Sequence, residues 1–134
     1  MENKNTKIEH EKEAFSTVKR IQSFEHAGRG VKIFLKTTHN AWVEIAVALV
    51  AIFFGFIFQI STTEWLFVVS SIGAVLVAET FNTAIEFDID LTSPEYHLFA
   101  KYAKDVAAGA VLIASVTASV IGLIIFVPKF MAIL

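Results

Sequence analysis

From Trp42 onward the chain alternates long apolar runs with short polar breaks. The first run, WVEIAVALVAIFFGFIFQI, carries one acid, Glu44. The second begins at Trp65 and stays apolar until the acids that close it, and the third is VAAGAVLIASVTASVIGLIIFV. Each approaches the length of about 20 apolar residues that a helix needs to cross a bilayer. The pattern therefore predicts three transmembrane helices with spans at about 42–60, 65–86 and 106–127. Before them, residues 21–38 have a different period. Ile21, Phe24, Ala27, Val31, Phe34 and Leu35 share one side of a helical wheel, and Glu25, Arg29, Lys32 and Lys36 share another. That describes a basic amphipathic helix lying on a membrane surface. Gly28 and Gly30 each weaken it by about 1 kcal/mol relative to alanine. Residues 1–20 are charged and poor in hydrophobics, and are read as a disordered or loosely helical tail. The fold class is all-α: an integral membrane domain over 21–134 behind a short tail.

Composition fits that frame. Of 134 residues, 55% are hydrophobic and none is cysteine, which excludes disulfides and thiolate metal sites. Eight of the eleven Lys and Arg fall within residues 1–40, Lys101 and Lys104 precede the third span, and the STTE break between the first two spans has neither. Positive-inside bias then places the amino terminus and the 86–105 connection on the cytoplasmic side of the inner (cytoplasmic) membrane. The first span, preceded by forty residues, is not a cleavable signal. No nucleic-acid partner is expected.

The chemistry is concentrated in AETFNTAIEFDID, residues 78–90. At 100° per residue Glu79, Asn82, Thr83, Glu86 and Asp90 fall within an arc of about 100°. That stripe cannot face lipid, because a carboxylate at the centre of a span costs roughly 2.5–3.5 kcal/mol on insertion scales. The connection that follows supplies cations. Ser93-Pro94 reads as an N-cap and first-turn proline, so a helix is expected from Pro94 through Lys104 and Asp105 into the third span. Its small residues Ala107, Ala108, Gly109 and Ala110 permit close approach, so that Lys104 and Asp105 meet the carboxylate stripe. Carboxylates with waters suit magnesium, and magnesium with a lysine neutralises nucleotide phosphates. A further carboxylate can accept the proton of an attacking hydroxyl. The arrangement permits phosphoryl transfer to a lipid hydroxyl at the interface, although a proton or cation pathway also wants aligned intramembrane acids. There is no P-loop, and His26, His39 and His97 lack metal-ligand spacing.

AETFNTAIEFDID together with SPEYHLFAKYAKDVAAGAVL resembles the signature of the prokaryotic diacylglycerol kinases, small three-span lipid kinases that assemble as homotrimers. NTAIE and the SPEYH to AKDVAAGAVL run resemble the branch that phosphorylates undecaprenol. The resemblance implies ATP as co-substrate, Mg2+ as cofactor, a membrane lipid alcohol as acceptor and a site shared between subunits. It implies Glu86 as general base, Glu79 as a metal ligand, and Asn82, Asp90, Lys104 and Asp105 around the nucleotide. Lys19 is carried as a further candidate. One departure stands out: Thr38 falls where the family generally has a metal-holding glutamate. Glu44, six residues later, is 240° away on a continuous helix and is expected to point elsewhere. The acceptor is read as undecaprenol, the alternatives being diacylglycerol or a catalytically weakened relative.

Overall fold

The computed structural model describes residues 17–133, and side chains from Arg20. Residues 1–16 of the expected tail lie outside the described residues. Four helices follow in order: α1 (Thr17–Thr37), α2 (His39–Ile57), α3 (Thr62–Thr92) and α4 (Leu98–Met131). The chain divides into two units between Thr37 and Thr38. The first holds α1, which runs uninterrupted through Gly28 and Gly30 and carries an exposed Arg29 to Glu25 ion pair of 3.4 Å.

The second unit is a three-helix membrane domain. Its helices α2, α3 and α4 are all long and apolar enough to cross a bilayer. Phe53, Phe67, Phe81, Leu112 and Ile124 are among the large apolar side chains left exposed, as lipid-facing helices require. The turn from α2 to α3 is closed by backbone geometry. Ile60 N–H donates to Gly55 O at 3.1 Å across Gln59, whose φ of 49° puts it in the left-handed region that ends many helices. Ser61 then caps α3 with a reciprocal pair: its Oγ accepts from Glu64 N–H, and the Glu64 carboxylate accepts from Ser61 N–H at 2.7 Å. Ile60, Val68 and Ile125 form the small buried core beneath this turn, with Trp65 and Phe126 packed against it.

Helices α3 and α4 pack along their length and run antiparallel, fixed by an ion pair at each end. Lys129 Nζ lies 3.1 Å from Glu64 Oε1, and at the far end Lys104 pairs with Asp90. The helix between Glu64 and Asp90 is about 39 Å long at 1.5 Å per residue, enough for a hydrocarbon core of about 30 Å with both pairs outside it.

Two boundaries differ from the sequence expectation. Helix α3 continues to Thr92, with Ser93 as its C-cap rather than the N-cap of the next helix. Helix α4 starts at Leu98, behind His97, not at Pro94. A residue before proline is pushed out of the helical region, and Ser93 at φ −136° and ψ 67° obeys that restriction by ending one helix without starting another. Pro94 and Glu95 therefore sit in the connection.

Candidate active site

The polar stripe of α3 is turned inward as its spacing demands. Glu79 is only 2% exposed, Asn82 9% and Thr83 7%, while Glu86 is half-buried. Neighbours four apart on a helix meet, and Asn82 Nδ2 donates to Glu86 Oε1 at 3.1 Å. That bond fixes the amide: Oδ1 must point the other way, since turning it toward Glu86 would set two acceptors against each other. Thr83 Oγ1 donates to the Glu79 carbonyl at 3.0 Å, which uses its one proton. The 2.9 Å contact between Thr38 Oγ1 and Thr83 Oγ1 is therefore donated by Thr38. A chain of two hydroxyls thus ties the start of α2 to the backbone of α3.

A cavity of about 460 Å³ opens along this stripe. Asn40 and Glu44 line it from α2, Glu79, Asn82 and Glu86 from α3, and Ala108 and Ser115 from α4. Among the described residues two buried acceptors, Glu44 Oε2 and Asn82 Oδ1, have no partner, and both belong to residues that line it. One turn past Glu86, Asp90 holds Lys104 across the α3–α4 gap, both partly exposed at the mouth of the stripe.

The candidate residues divide as follows. Glu79, Asn82 and Glu86 come together, and Lys104 meets Asp90 as the small-residue stretch of α4 allows. Asp105 does not join them; it is exposed on α4. Thr38 packs on α3 rather than presenting a free ligand. Glu44 faces the cavity, contrary to the wheel angle counted from Thr38. That angle assumed one continuous helix, whereas Thr38, at φ −101° and ψ 106°, is extended and breaks α1 from α2. Counted within α2, Asn40 and Glu44 are four apart and share a face. Lys19 lies in α1 and its side chain is outside the described residues. Sequence reasoning missed Asn40 and Ser115 as lining groups. Asn40 carried a signal, standing four residues before Glu44 at the mouth of an apolar run; Ser115, one small polar residue among alanines and serines, carried none.

Among the described residues no three His, Asp or Glu side chains converge on one point as a closed metal cage would require. Magnesium does not need one. It keeps several waters and is commonly held by one or two carboxylates together with substrate phosphates. Glu86, near the Lys104–Asp90 pair, has the chemistry for that.

Residues 25–126 match the family model described as prokaryotic diacylglycerol kinase. The chain belongs to the prokaryotic diacylglycerol kinase family. Among its relatives is the undecaprenol kinase of Bacillus subtilis (strain 168), 42% identical over 109 residues that cover 81% of this chain and 89% of that protein. A diacylglycerol kinase of Synechocystis sp. is 30% identical over 115 residues, 85% of this chain and 66% of the relative. Both are kinases, and so is this chain: a lipid kinase built on three apolar helices. A kinase of this family brings a phosphoryl donor to a lipid.

Proposed function

We propose that the kinase transfers the γ-phosphate of ATP to the hydroxyl of undecaprenol at the cytoplasmic face of the cytoplasmic membrane. The observation that carries this reading is the depth order along α3. Glu79, buried, is the innermost acid of the stripe; Glu86 follows about 10 Å on, and Asp90 with Lys104 about 6 Å beyond that. A nucleotide arrives from water and a lipid hydroxyl from the membrane. The phosphates therefore belong beside Lys104 and Asp90, the magnesium ion beside Glu86, and the lipid hydroxyl beside Glu79.

That order assigns the base and the metal ligand the other way round from the family resemblance. Glu79 takes the proton of the lipid hydroxyl as its oxygen attacks the γ-phosphorus, the bond from that phosphorus to the β-γ bridging oxygen breaks, and ADP leaves. Lys104 bears on the phosphate charge, while Asn82 holds the Glu86 carboxylate in place by its 3.1 Å bond. Magnesium, when bound with ATP, neutralises the charge that develops on the phosphate oxygens.

The acceptor is assigned to undecaprenol because the similarity to the Bacillus undecaprenol kinase, 42%, exceeds the 30% to the Synechocystis enzyme. Three further assignments go with this reading. The kinase works as a homotrimer, whose neighbouring subunits close a cavity that a single chain leaves open. Helix α1 lies on the membrane with Arg29, Lys32 and Lys36 toward anionic lipid. The amino terminus is cytoplasmic.

The test is transfer of labelled phosphate from Mg-ATP to undecaprenol and to diacylglycerol in mixed micelles, by the wild type and by Glu79→Gln and Glu86→Gln. A base that is lost lowers kcat on the order of 10²–10⁴-fold at every magnesium concentration. A metal ligand that is lost gives activity that excess magnesium partly restores. The expected result is the first behaviour for Glu79→Gln and the second for Glu86→Gln; the reverse pairing refutes the depth argument, and no product on either lipid refutes the kinase reading.

A further inference from the structure

A second cavity adjoins the polar one. It is also about 460 Å³, and it runs between α2, α3 and α4 among Val47, Phe54, Val68, Ile72, Gly122 and Phe126. The two share Val43, Glu44 and Ser115 in their linings. An apolar cleft therefore leads to Glu44, and past it to Asn82 and Glu79. Among the described residues two buried acceptors have no partner: Glu44 Oε2, where the two cavities meet, and Asn82 Oδ1, deeper in the polar one, on a side chain 9% exposed. Unpaired buried acceptors are costly, and both of these call for a donor. The ligand that fits an apolar cleft ending at an unpaired carboxylate oxygen has a long apolar body and a hydroxyl at its end.

We propose that the acceptor lipid lies with its chain in this apolar cleft and its hydroxyl at the junction, donating to Glu44, so that Glu44 orients the alcohol toward Glu79. This deepens the lipid kinase reading and rests on it. Glu44 acts here as an acceptor rather than as a base. A hydroxyl has one proton to give: while it is donated to Glu44 it holds the alcohol oxygen in place, and rotation about the C–O bond then turns that same proton to Glu79, leaving Glu44 unprotonated. Asn82 Oδ1 is a second acceptor, in the polar cavity beyond the junction. An ammonium or metal ligand would satisfy both acceptors at once, but neither would explain the apolar cleft leading to Glu44.

Two variants probe the two ends. Glu44→Gln keeps an acceptor oxygen and the side-chain volume, whereas Glu44→Ala removes both. Gly122 lines the cleft and a Cβ built on it meets no atom within 4 Å, so the backbone there accepts a side chain and Gly122→Phe adds bulk to the lining of the cleft. The measurement is KM for undecaprenol and for a short prenyl alcohol, beside KM for ATP and the magnesium dependence. The expected result for Glu44→Ala is a KM raised at least tenfold for both alcohols, with Glu44→Gln within threefold of wild type and the ATP and magnesium terms changed less than twofold in both. The expected result for Gly122→Phe is a KM raised at least tenfold for undecaprenol and less than threefold for the short alcohol.

A Glu44→Ala effect that appears in the magnesium dependence instead would make Glu44 a metal ligand and overturn the proposal. A Gly122→Phe variant that changes the oligomeric mass by light scattering, with undecaprenol KM unmoved, would show that a second copy of the chain fills the cleft and would overturn it too. Failure of the wild type to phosphorylate any alcohol removes the kinase reading itself, whereas wild-type activity with unaltered variants overturns this proposal and leaves the kinase reading standing.

Discussion

Replacing Thr38 by valine exchanges its hydroxyl for a methyl and keeps the shape of the side chain, so the donor to Thr83 is the interaction lost. In the wild type Thr38 Oγ1 donates to Thr83 Oγ1 at 2.9 Å, and Thr83 donates to the Glu79 carbonyl at 3.0 Å. Thr38→Val leaves the second bond intact, because the proton of Thr83 is already committed. A net hydrogen bond is worth about 0.5–1.5 kcal/mol, and bonds between membrane helices average about 0.6 kcal/mol. The expected loss is therefore about 0.6–1 kcal/mol. Thr83→Val takes away both bonds and strands the Thr38 hydroxyl, for about 1–2 kcal/mol. The double variant should cost no more than Thr83→Val, since the Thr38 bond is already gone in that background. Unfolding of the purified kinase in mixed micelles by a denaturing detergent measures all three. Additivity of the two single effects would refute the hydroxyl chain, because it would mean that Thr38 holds something other than Thr83. Thr38→Glu tests the function of the same position. A glutamate there loses the Thr83 bond and adds a further acid beside the stripe that already holds Glu44, Glu79 and Glu86, so the expected result is lower stability with no gain in metal affinity. A rise in magnesium affinity would show that position 38 still faces the metal.

Two further variants separate function from folding. Lys104→Ala is expected to raise KM for ATP at least tenfold while changing stability by no more than about 0.5 kcal/mol, as its pair with Asp90 is partly exposed and such pairs contribute little; nucleotide binding and detergent unfolding measured side by side check it. Gly55→Ala is expected to destabilise by about 1–3 kcal/mol, because its Cβ would lie 2.7 Å from Cη2 of Trp65 against the turn that joins α2 and α3, and the indole is held there on Phe56 with ring centroids 4.9 Å apart.

The spans and the inward stripe were legible because both rest on periodicity, which survives without tertiary information. Three apolar runs of bilayer length have few other uses, and Glu79, Asn82, Thr83 and Glu86 could not share an arc facing lipid. What could not be read was whatever depended on a break in the period. The wheel placed Glu44 away from the site because nothing in KTTHN announces that Thr38 leaves the helical region; its extended conformation is held by packing on Thr83, 45 residues away in sequence. Ser93-Pro94 was misread for a related reason. The same dipeptide serves as the start of one helix or the stop of another, and only the length of α3, long enough to carry Asp90 to Lys104, decides between them.

That extra length has a mechanistic consequence on the proposed reading. Had α3 ended at Glu86, the nucleotide groups would lie on a separate element and their distance from Glu79 would depend on a loop. Because α3 continues unbroken to Thr92, Glu79, Glu86 and Asp90 are fixed on one rigid rod, about 16 Å from first to last. Lipid and nucleotide then meet by binding at set positions along it, so a proline at Phe87 should uncouple them. Proline there removes the N–H that pairs with the Thr83 carbonyl and kinks the helix, at about 3 kcal/mol or more. Binding of ATP at the Lys104 end is expected to survive in a folded variant while transfer to lipid is lost. Loss of ATP binding in that variant, with helix content retained, would mean that the nucleotide site is built across the kink and not at its far end.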